Sequence, residues 1–587
     1  MVPRVNTGNR GGHLNKRRSG ISNYIIFFFL IPGVHLNCGK SSSTTFHDPQ
    51  SVSLPRLSFS QSGETVECYD YVEIAVNVDK PTARNPFTDV FVSGSFGRTD
   101  DKDKRAVEGF CDSKDGSVFR IRFMPSDPGD YVYSVSFWQD DLAKLYSGKF
   151  KALDAKRKGI LAGDPAYPWH FIWKGTGEHY YLNATTAFLL MGWDDEQVIR
   201  DCITRLRELE INRLRVSLNC RTHDFWTEPI KPGRGFRAHL NPWVARWPDD
   251  VRNPGFDFAR FNCPYWQKFE RMLRYARERD VIISVIFGWN DSHALPVAGG
   301  ANERRYFDYA VARLAGYSNV TWDLGDDVDS YRSESWTHAT GTMLANLDPY
   351  HHLATSHPAV DNRHQDRTSD WFGMTSFQKW ERPLHGWMLD QRRQQADSGR
   401  IIPQVDEEYG YEDHYTRWAP YRAPAASADA NRRAAWEIAM AGCYQTTGET
   451  AKRGTGIGPD TGGGWVNGRG DDTMVMLKGY AHMVHFFTSF EWWKAEPHDD
   501  LVNNGAFCLA EPGRRYIVYL PHGGNVTIRL ELGRYEVNWF NPQSGDYVVI
   551  PDAEGSVWAS PPAPDQKDWV LTLGRKESIT ERRISSR

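Results

Sequence analysis

Two runs of this chain carry carboxylates behind strand-like sequence. Asn319-Val320-Thr321-Trp322-Asp323-Leu324-Gly325-Asp326-Asp327 ends on an acidic pair, and Ile401-Ile402-Pro403-Gln404-Val405-Asp406-Glu407-Glu408-Tyr409-Gly410-Tyr411-Glu412-Asp413 follows an apolar lead with acids and aromatics. Glycosidic bond cleavage takes one carboxylic acid to protonate the leaving oxygen, and a second carboxylate to attack the anomeric carbon or activate water. A parallel barrel brings two such acids together, because all its strand C-terminal ends open on one face. Within the second run Glu407 and Glu408 compete: neighbours on a strand point to opposite faces, so only one is expected to face the barrel mouth. Asp326 and Asp327 are both candidates for the role of acid.

The elements that must position these acids follow from residue 165 to about 500, where short apolar strands alternate with helical segments. Strand candidates are Tyr181–Ala184, Ile211–Leu218, Val281–Phe287, Asn319–Leu324, His352–Ser356, Trp371–Thr375 and Ile401–Val405, with Val484–Phe490 completing the set. Between them lie helical patterns such as Asp195–Leu209, whose Val198, Ile199, Cys202, Leu206 and Leu209 form one stripe. Repeated β-then-α over this length predicts a (β/α)8 TIM barrel with sizeable loops. A doubly wound open sheet is the alternative, but the glycine-rich phosphate turn it calls for after an early strand is missing.

Other residues fall at strand ends and so open on the same face. Trp289, Asn290 and His293 follow the third strand, His357 ends the fifth, and Gln378 and Trp380 follow the sixth. Each is a candidate sugar contact; for His357 a satisfied structural histidine is the competing explanation. Gly462-Gly463-Gly464-Trp465 reads as a loop carrying Trp465 toward the site, without the strand-turn-helix context of a phosphate cradle. Neither GxSxG, HExxH nor a Walker sequence occurs, and no Cys/His spacing suggests zinc, so neither metal nor organic cofactor is expected.

Composition bounds the remaining choices. The chain has 587 residues, 40% of them hydrophobic and 25% charged, with a net charge of −4, so no global basic field draws in nucleic acid. Its 22 Trp suit sugar faces, although most are expected in the core. Loop arginines and lysines such as Arg221, Lys231, Arg234, Arg237, Arg363 and Arg367 suit either an anionic substrate or plain solubility. Eight Cys do not make a disulfide framework in a chain this long; Cys68 and Cys111 are the one pair placed to bond, and buried thiols are expected elsewhere.

Flanking the barrel, residues 55–155 alternate apolar and polar positions in short runs broken by turns such as Asp127-Pro128-Gly129, predicting an antiparallel β-sandwich. Residues 501–575 return to short strands and predict a small C-terminal β-sandwich, with the barrel spanning 156–500 and a disordered tail over 576–587. At the other end Lys16-Arg17-Arg18 precedes the apolar run Tyr24–Ile31, the pattern of an export signal, with a linker to residue 54. Leu36-Asn37-Cys38-Gly39 resembles a lipoprotein cleavage site, which makes Cys38 a candidate lipid anchor. The expected location is periplasmic, cell-surface or extracellular.

Taken together, Asn-x-x-Trp-x-Leu-Gly-x-Asp at 319–327 and Glu-x-x-Tyr-Glu at 408–412 resemble the apiosidase-like glycoside hydrolases and, more broadly, retaining β-glycosidases with the acid on strand four and the nucleophile on strand seven. Phe119–Pro125 followed by Pro128-Gly129-Asp130-Tyr131 resembles the immunoglobulin-like domain that precedes such barrels, and Phe507–Ala510 through Trp539–Pro542 the collagen-binding-type β-domain that follows them. The resemblance implies Asp327 as acid/base and Glu408 as nucleophile, with Tyr411-Glu412 setting the register that favours Glu408 over Glu407. It implies that Arg215, in Asn212-Arg213-Leu214-Arg215, supports the nucleophile, and that Glu412 touches substrate or its neighbours. Asp326 departs from the family pattern, which has a small residue there, and sets a second negative charge beside the acid.

The reading is a glycoside hydrolase that cleaves β-linked plant or algal polysaccharide, or its oligosaccharides, with retention. A barrel that binds carbohydrate without turnover is the alternative from another class, and a polysaccharide lyase a more distant one.

Overall fold

A computed structural model describes residues 56–576, apart from 102–103, 220–239, 251–252, 290–294, 366, 381, 411–426 and 448–474. Eight parallel strands form the central barrel: β1 (Asn183–Thr186), β2 (Arg213–Ser217), β3 (Ile282–Ile286), β4 (Val320–Asp323), β5 (Ala354–Thr355), β6 (Thr375–Gln378), β7 (Gln404–Glu408) and β8 (Tyr444–Thr447). Their order is β5-β4-β3-β2-β1-β8-β7-β6. The last seam, between β5 and β6, is closed by the Gly373 amide donating to the Ala354 carbonyl at 2.8 Å and the Thr355 hydroxyl to the Met374 carbonyl at 2.9 Å.

The outer ring comprises α1 (Glu196–Glu208), α2 (Cys263–Arg277), α3 (Ala301–Leu314), α4 (Glu334–Leu347), α5 (His385–Asp397), α6 (Ala428–Met440) and α7 (Val475–Thr488). α1 starts where the Asp195 side chain accepts from the Gln197 amide, and it buries Ile199, Cys202, Ile203 and Leu206, a single stripe at helical spacing. β3 is buried at every position and reads as a continuous Ile-Ile-Ser-Val-Ile run, as a strand covered on both faces must. Among the described residues the β5–β6 crossover carries no helix.

Two element assignments differ from the sequence expectation. Val484–Phe490 is not the eighth strand: its first residues close α7, where Tyr480, Met483, Val484 and Phe487 are buried at the three- and four-residue spacing of a helix. The eighth strand is Tyr444–Thr447, whose Gln445 and Thr446 are polar yet buried. β6 also lies further along, at Thr375–Gln378 rather than Trp371–Thr375.

The N-terminal sandwich packs a four-stranded sheet (Arg56–Gln61, Val72–Asp79, Val118–Phe123, Phe110–Cys111) on a five-stranded one (Thr65–Glu67, Leu142–Leu153, Gly129–Gln139, Val90–Arg98, Arg105–Glu108). Cys68 and Cys111 are both buried free thiols, so the expected candidate disulfide is not formed; the Cys111 thiol donates to the Ser113 carbonyl at 3.1 Å instead. After the barrel, a six-stranded sheet (Glu496–Pro497, Phe507–Glu511, Arg515–Leu520, Trp569–Arg575, Arg534–Phe540, Tyr547–Glu554) and a two-stranded one (Thr527–Arg529, Val557–Ala559) form the C-terminal β-domain. One apolar core runs from Phe110 and Met124 of the sandwich, through the barrel, to Ile517, Tyr519, Phe540 and Val570 of the C-terminal sheet.

Candidate active site

Period-two alternation aims Arg213 and Arg215 of β2 into the barrel lumen, where both are fully buried. A buried guanidinium needs anionic partners, and the strand ends supply them. Arg215 Nη2 donates to Asp326 Oδ1 at 2.7 Å and lies 3.4 Å from Asp323 Oδ2, while its Nη1 lies 3.4 Å from Glu408 Oε1. Arg213 Nη1 grips both oxygens of Glu407 at 2.8 and 3.0 Å, its Nη2 donates to the Ser284 hydroxyl at 2.9 Å, and Thr446 donates to Glu407 from β8.

Glu407 therefore does not turn away from the lumen as strict alternation predicts. In the β6–β7 ladder Phe377 faces Asp406 and Gln378 faces Glu408, which leaves Glu407 as the extra residue of a bulge. The Asp406 carboxylate accepts from the Glu408 amide at 3.3 Å and from the Lys379 amide at 3.4 Å, supporting the bulge from behind. Consecutive glutamates thus both reach the interior: Glu407 on Arg213, and Glu408 at the rim.

At that rim His357 Nε2 lies 3.7 Å from Asp326 Oδ1 and 3.7 Å from Glu408 Oε1, and its Nδ1 lies 3.0 Å from the Ser376 hydroxyl. Asp326, His357 and Glu408 bring one donor atom each to within 4.8 Å of one another. These three would be the ligands if the rim held a cation, but the Arg215 guanidinium already bonds the same Asp326 oxygen and supplies positive charge there. Burial, then the Arg215 charge, holds the His357 imidazole neutral, well below its usual range.

The acids divide by their surroundings. Burial pushes the Asp326 carboxyl up to about 7, with Arg215 opposing and the Glu408 charge adding to the rise. Asp323 is likewise raised to about 7 by burial against Arg215. Asp327 sits half-buried in the left-handed region, at φ 52° and ψ 37°; burial, then the charges of Asp326 and Glu408, raise its carboxyl well above the usual range. Both carboxyls of the adjacent pair are thus pushed toward holding a proton. Gly325 sits before them because a Cβ there would come within 2.1 Å of the Tyr331 hydroxyl, itself buried under this loop.

Of the other expected residues, Trp289 is buried with its ring 4.5 Å from Phe188, whose ring lies 5.4 Å from the Arg215 guanidinium. Gln378 ends β6 opposite Glu408. Asn290, His293, Tyr411, Glu412 and Trp465 lie outside the described residues. The sequence reading did not place Arg213, Ser284, Asp323, Tyr331, Ser376 and Thr446 in the site. For Arg213 a signal existed in the two arginines spaced by two on an otherwise apolar strand; Tyr331 and Ser376 carry none.

Comparison with known sequences turns on this barrel. Residues 238–449 match the family model "Apiosidase-like, catalytic domain". The barrel is similar to an apiosidase-like catalytic domain. Residues 65–138 match a domain of unknown function, DUF5060, and residues 498–574 the "Putative collagen-binding domain of a collagenase". No curated protein matches the chain. Among solved structures, a putative glycoside hydrolase from Bacteroides vulgatus superposes with a TM-score of 0.73 at 20% identity, covering 88% of this chain and all of that one. A glycoside hydrolase family 5 protein from the same organism gives a TM-score of 0.56 at 15% identity, over 71% of this chain and 94% of that one. At these identities the likeness to the solved structures is one of fold.

Proposed function

We propose that the protein is a retaining glycoside hydrolase of β-linked plant or algal polysaccharides or their oligosaccharides, acting outside the cytoplasm, with Glu408 as nucleophile and Asp327 as acid/base. One observation carries the reading: a single buried arginine, Arg215, stands between the β4 acids and Glu408, gathering them at the rim of an apiosidase-like barrel. Asp327 gives its proton to the leaving oxygen while Glu408 attacks the anomeric carbon, forming a glycosyl ester and releasing the alcohol. The Asp327 carboxylate then takes a proton from water as the water oxygen displaces Glu408. Asp326, tied to Arg215, stays behind as the charge that keeps the proton on Asp327. His357 and Gln378 line the same rim as sugar contacts.

A second assignment has its own support. Oxygens of Asp326 and Glu408 within 4.8 Å sit at the close spacing of retaining pairs, about 5–5.5 Å, rather than the 6.5–9.5 Å of inverting ones, so Asp326 competes for the acid role. Hydrolysis of aryl glycosides and polysaccharides by wild type, Glu408→Gln, Asp326→Asn and Asp327→Asn separates the readings. Loss of turnover in Glu408→Gln is expected, together with a defect in Asp327→Asn that deepens as the leaving group worsens and is relieved by azide. The same pattern in Asp326→Asn would transfer the role. Binding without turnover across a broad glycan panel, or products of inverted configuration, would overturn the proposal.

A further inference from the structure

Away from the barrel, the outer face of the five-stranded sheet shows an ordered array. Strand register sets Phe91 beside Trp138 and Trp138 beside Ala143; the next row is Ser93, Ser136 and Leu145, and the next Ser95, Ser134 and Ser147. The opposite face of the same strands, with Val92, Phe96, Val135 and Phe137, is buried in the sandwich core. Phe91, Trp138 and Leu145 remain 64%, 52% and 69% exposed. These nine positions carry no charge; charges begin only at the borders, with Glu108 opposite Ser93 and Lys149 in the row beyond Ser147.

We propose that this face is a polysaccharide-binding platform, on which Trp138 and Phe91 stack against sugar rings and the serine rows bond their hydroxyl rims. The choice of a glycan as occupant rests on the glycosidase reading of the barrel; the platform itself rests on the sheet. Sugar rings present an apolar C–H face and a polar edge, and the array matches both: an aromatic row followed by hydroxyl rows, about 7 Å apart along strands about 4.8 Å apart. The hydroxyls of Ser93, Ser95, Ser134, Ser136 and Ser147 lie in register on this one face, and each can serve as both donor and acceptor.

The alternatives fit less well. Three apolar side chains at these exposures offer about 400 Å² of surface, roughly half of the 800 Å² per partner that a stable dimer needs. An anionic lipid surface calls for clustered cations, and the array has none. The aromatic end is also continuous with a cleft of about 490 Å³ between the sandwich and α3, lined by Phe87, Phe91, Phe261, Arg304, Arg305 and Asp308. A chain lying on the platform would run from the aromatic row toward the flank of the barrel, along a helix whose N-terminus follows the catalytic rim.

Affinity gel electrophoresis of the full chain in xyloglucan, galactomannan and mixed-linkage β-glucan, with polygalacturonate as an anionic counterpart, tests this. Wild type should be retarded by at least one neutral polymer, and Trp138→Ala and Phe91→Ala should each weaken retardation by about tenfold, the worth of one stacking face. Ser136→Arg, which fills the middle row without touching the core, should do the same, and turnover of small aryl glycosides should not change in any of the three. Retardation equal to wild type in these variants, no retardation of wild type in any polymer, or a wild-type dimer that Trp138→Ala dissociates would each overturn the platform. Trp138-dependent retardation in a protein that hydrolyses no glycoside would instead uphold the platform and remove the barrel reading.

Discussion

Arg215 serves four carboxylates with one guanidinium, 2.7 Å from Asp326, 3.4 Å from both Asp323 and Glu408, and 3.9 Å from Glu407. Lysine has the charge without the fork, so Arg215→Lys is expected to lower kcat by about two orders of magnitude with a smaller change in KM, measured on an aryl glycoside. Asp326 makes a distinct prediction through pH. Its charge raises the Asp327 carboxyl, and the acid is competent only while protonated, so activity falls as pH rises through the Asp327 pKa. Removing that charge in Asp326→Asn lowers the Asp327 pKa, and the basic limb of the kcat/KM profile should move to lower pH. A limb that stays in place or moves up would count against Asp327 as the acid. The two acid runs were legible from residue type and spacing, and Arg215 only through the family resemblance, whereas their pairing was not, since a choice between adjacent aspartates depends on a loop conformation that no periodicity encodes.

At the level of elements, the bulge in β7 decides what the site contains. Alternation assigns one glutamate to the lumen; the extra residue admits both and leaves Glu407 clamped between Arg213 and Thr446. Glu407→Ala would strand Arg213 as an unpaired buried charge, and a loss of about 3–5 kcal/mol in unfolding free energy is expected from denaturant titration. Legibility tracked burial chemistry here. β3, apolar but for Ser284, announced itself, while β8, Tyr-Gln-Thr-Thr, carries no strand signal because its Gln445 bonds Asn183 and its Thr446 bonds Glu407, polar partners no window of sequence reveals. α7 was mistaken for a strand because a dense aromatic run satisfies either period over so few residues.

Across the whole molecule, charge pairs lock the joints around the shared core. Arg313 of α3 bonds Asp112 of the sandwich at 2.6 Å, and Arg122 of the sandwich bonds Glu270 of α2 in the same buried cluster. On the other side Arg432 of α6 holds Asp568 of the C-terminal domain through two bonds of 3.0 and 2.6 Å. Arg432→Ala leaves the buried Asp568 carboxylate unpaired, so it should cost about 3–5 kcal/mol and expose the C-terminal joint to limited proteolysis before the barrel yields. The sequence marked three regions by texture but gave no sign of this coupling, because residues such as Phe110 and Tyr519 read as members of their own sheets and not as parts of a common interior.

That common interior bears on how such a chain can be inherited. Modules joined by linkers can be exchanged between genes one at a time, each carrying its surface with it. Here a recombination at either joint would leave Trp436 without Tyr519 stacked on it, or the Glu270 and Arg313 charges without their partners on the neighbouring domain, in the first generation. The three regions are therefore expected to have descended together, keeping the seams, and variation in what the protein recognises should collect away from them, as on the outer sheet where Phe91, Trp138 and Leu145 stand exposed.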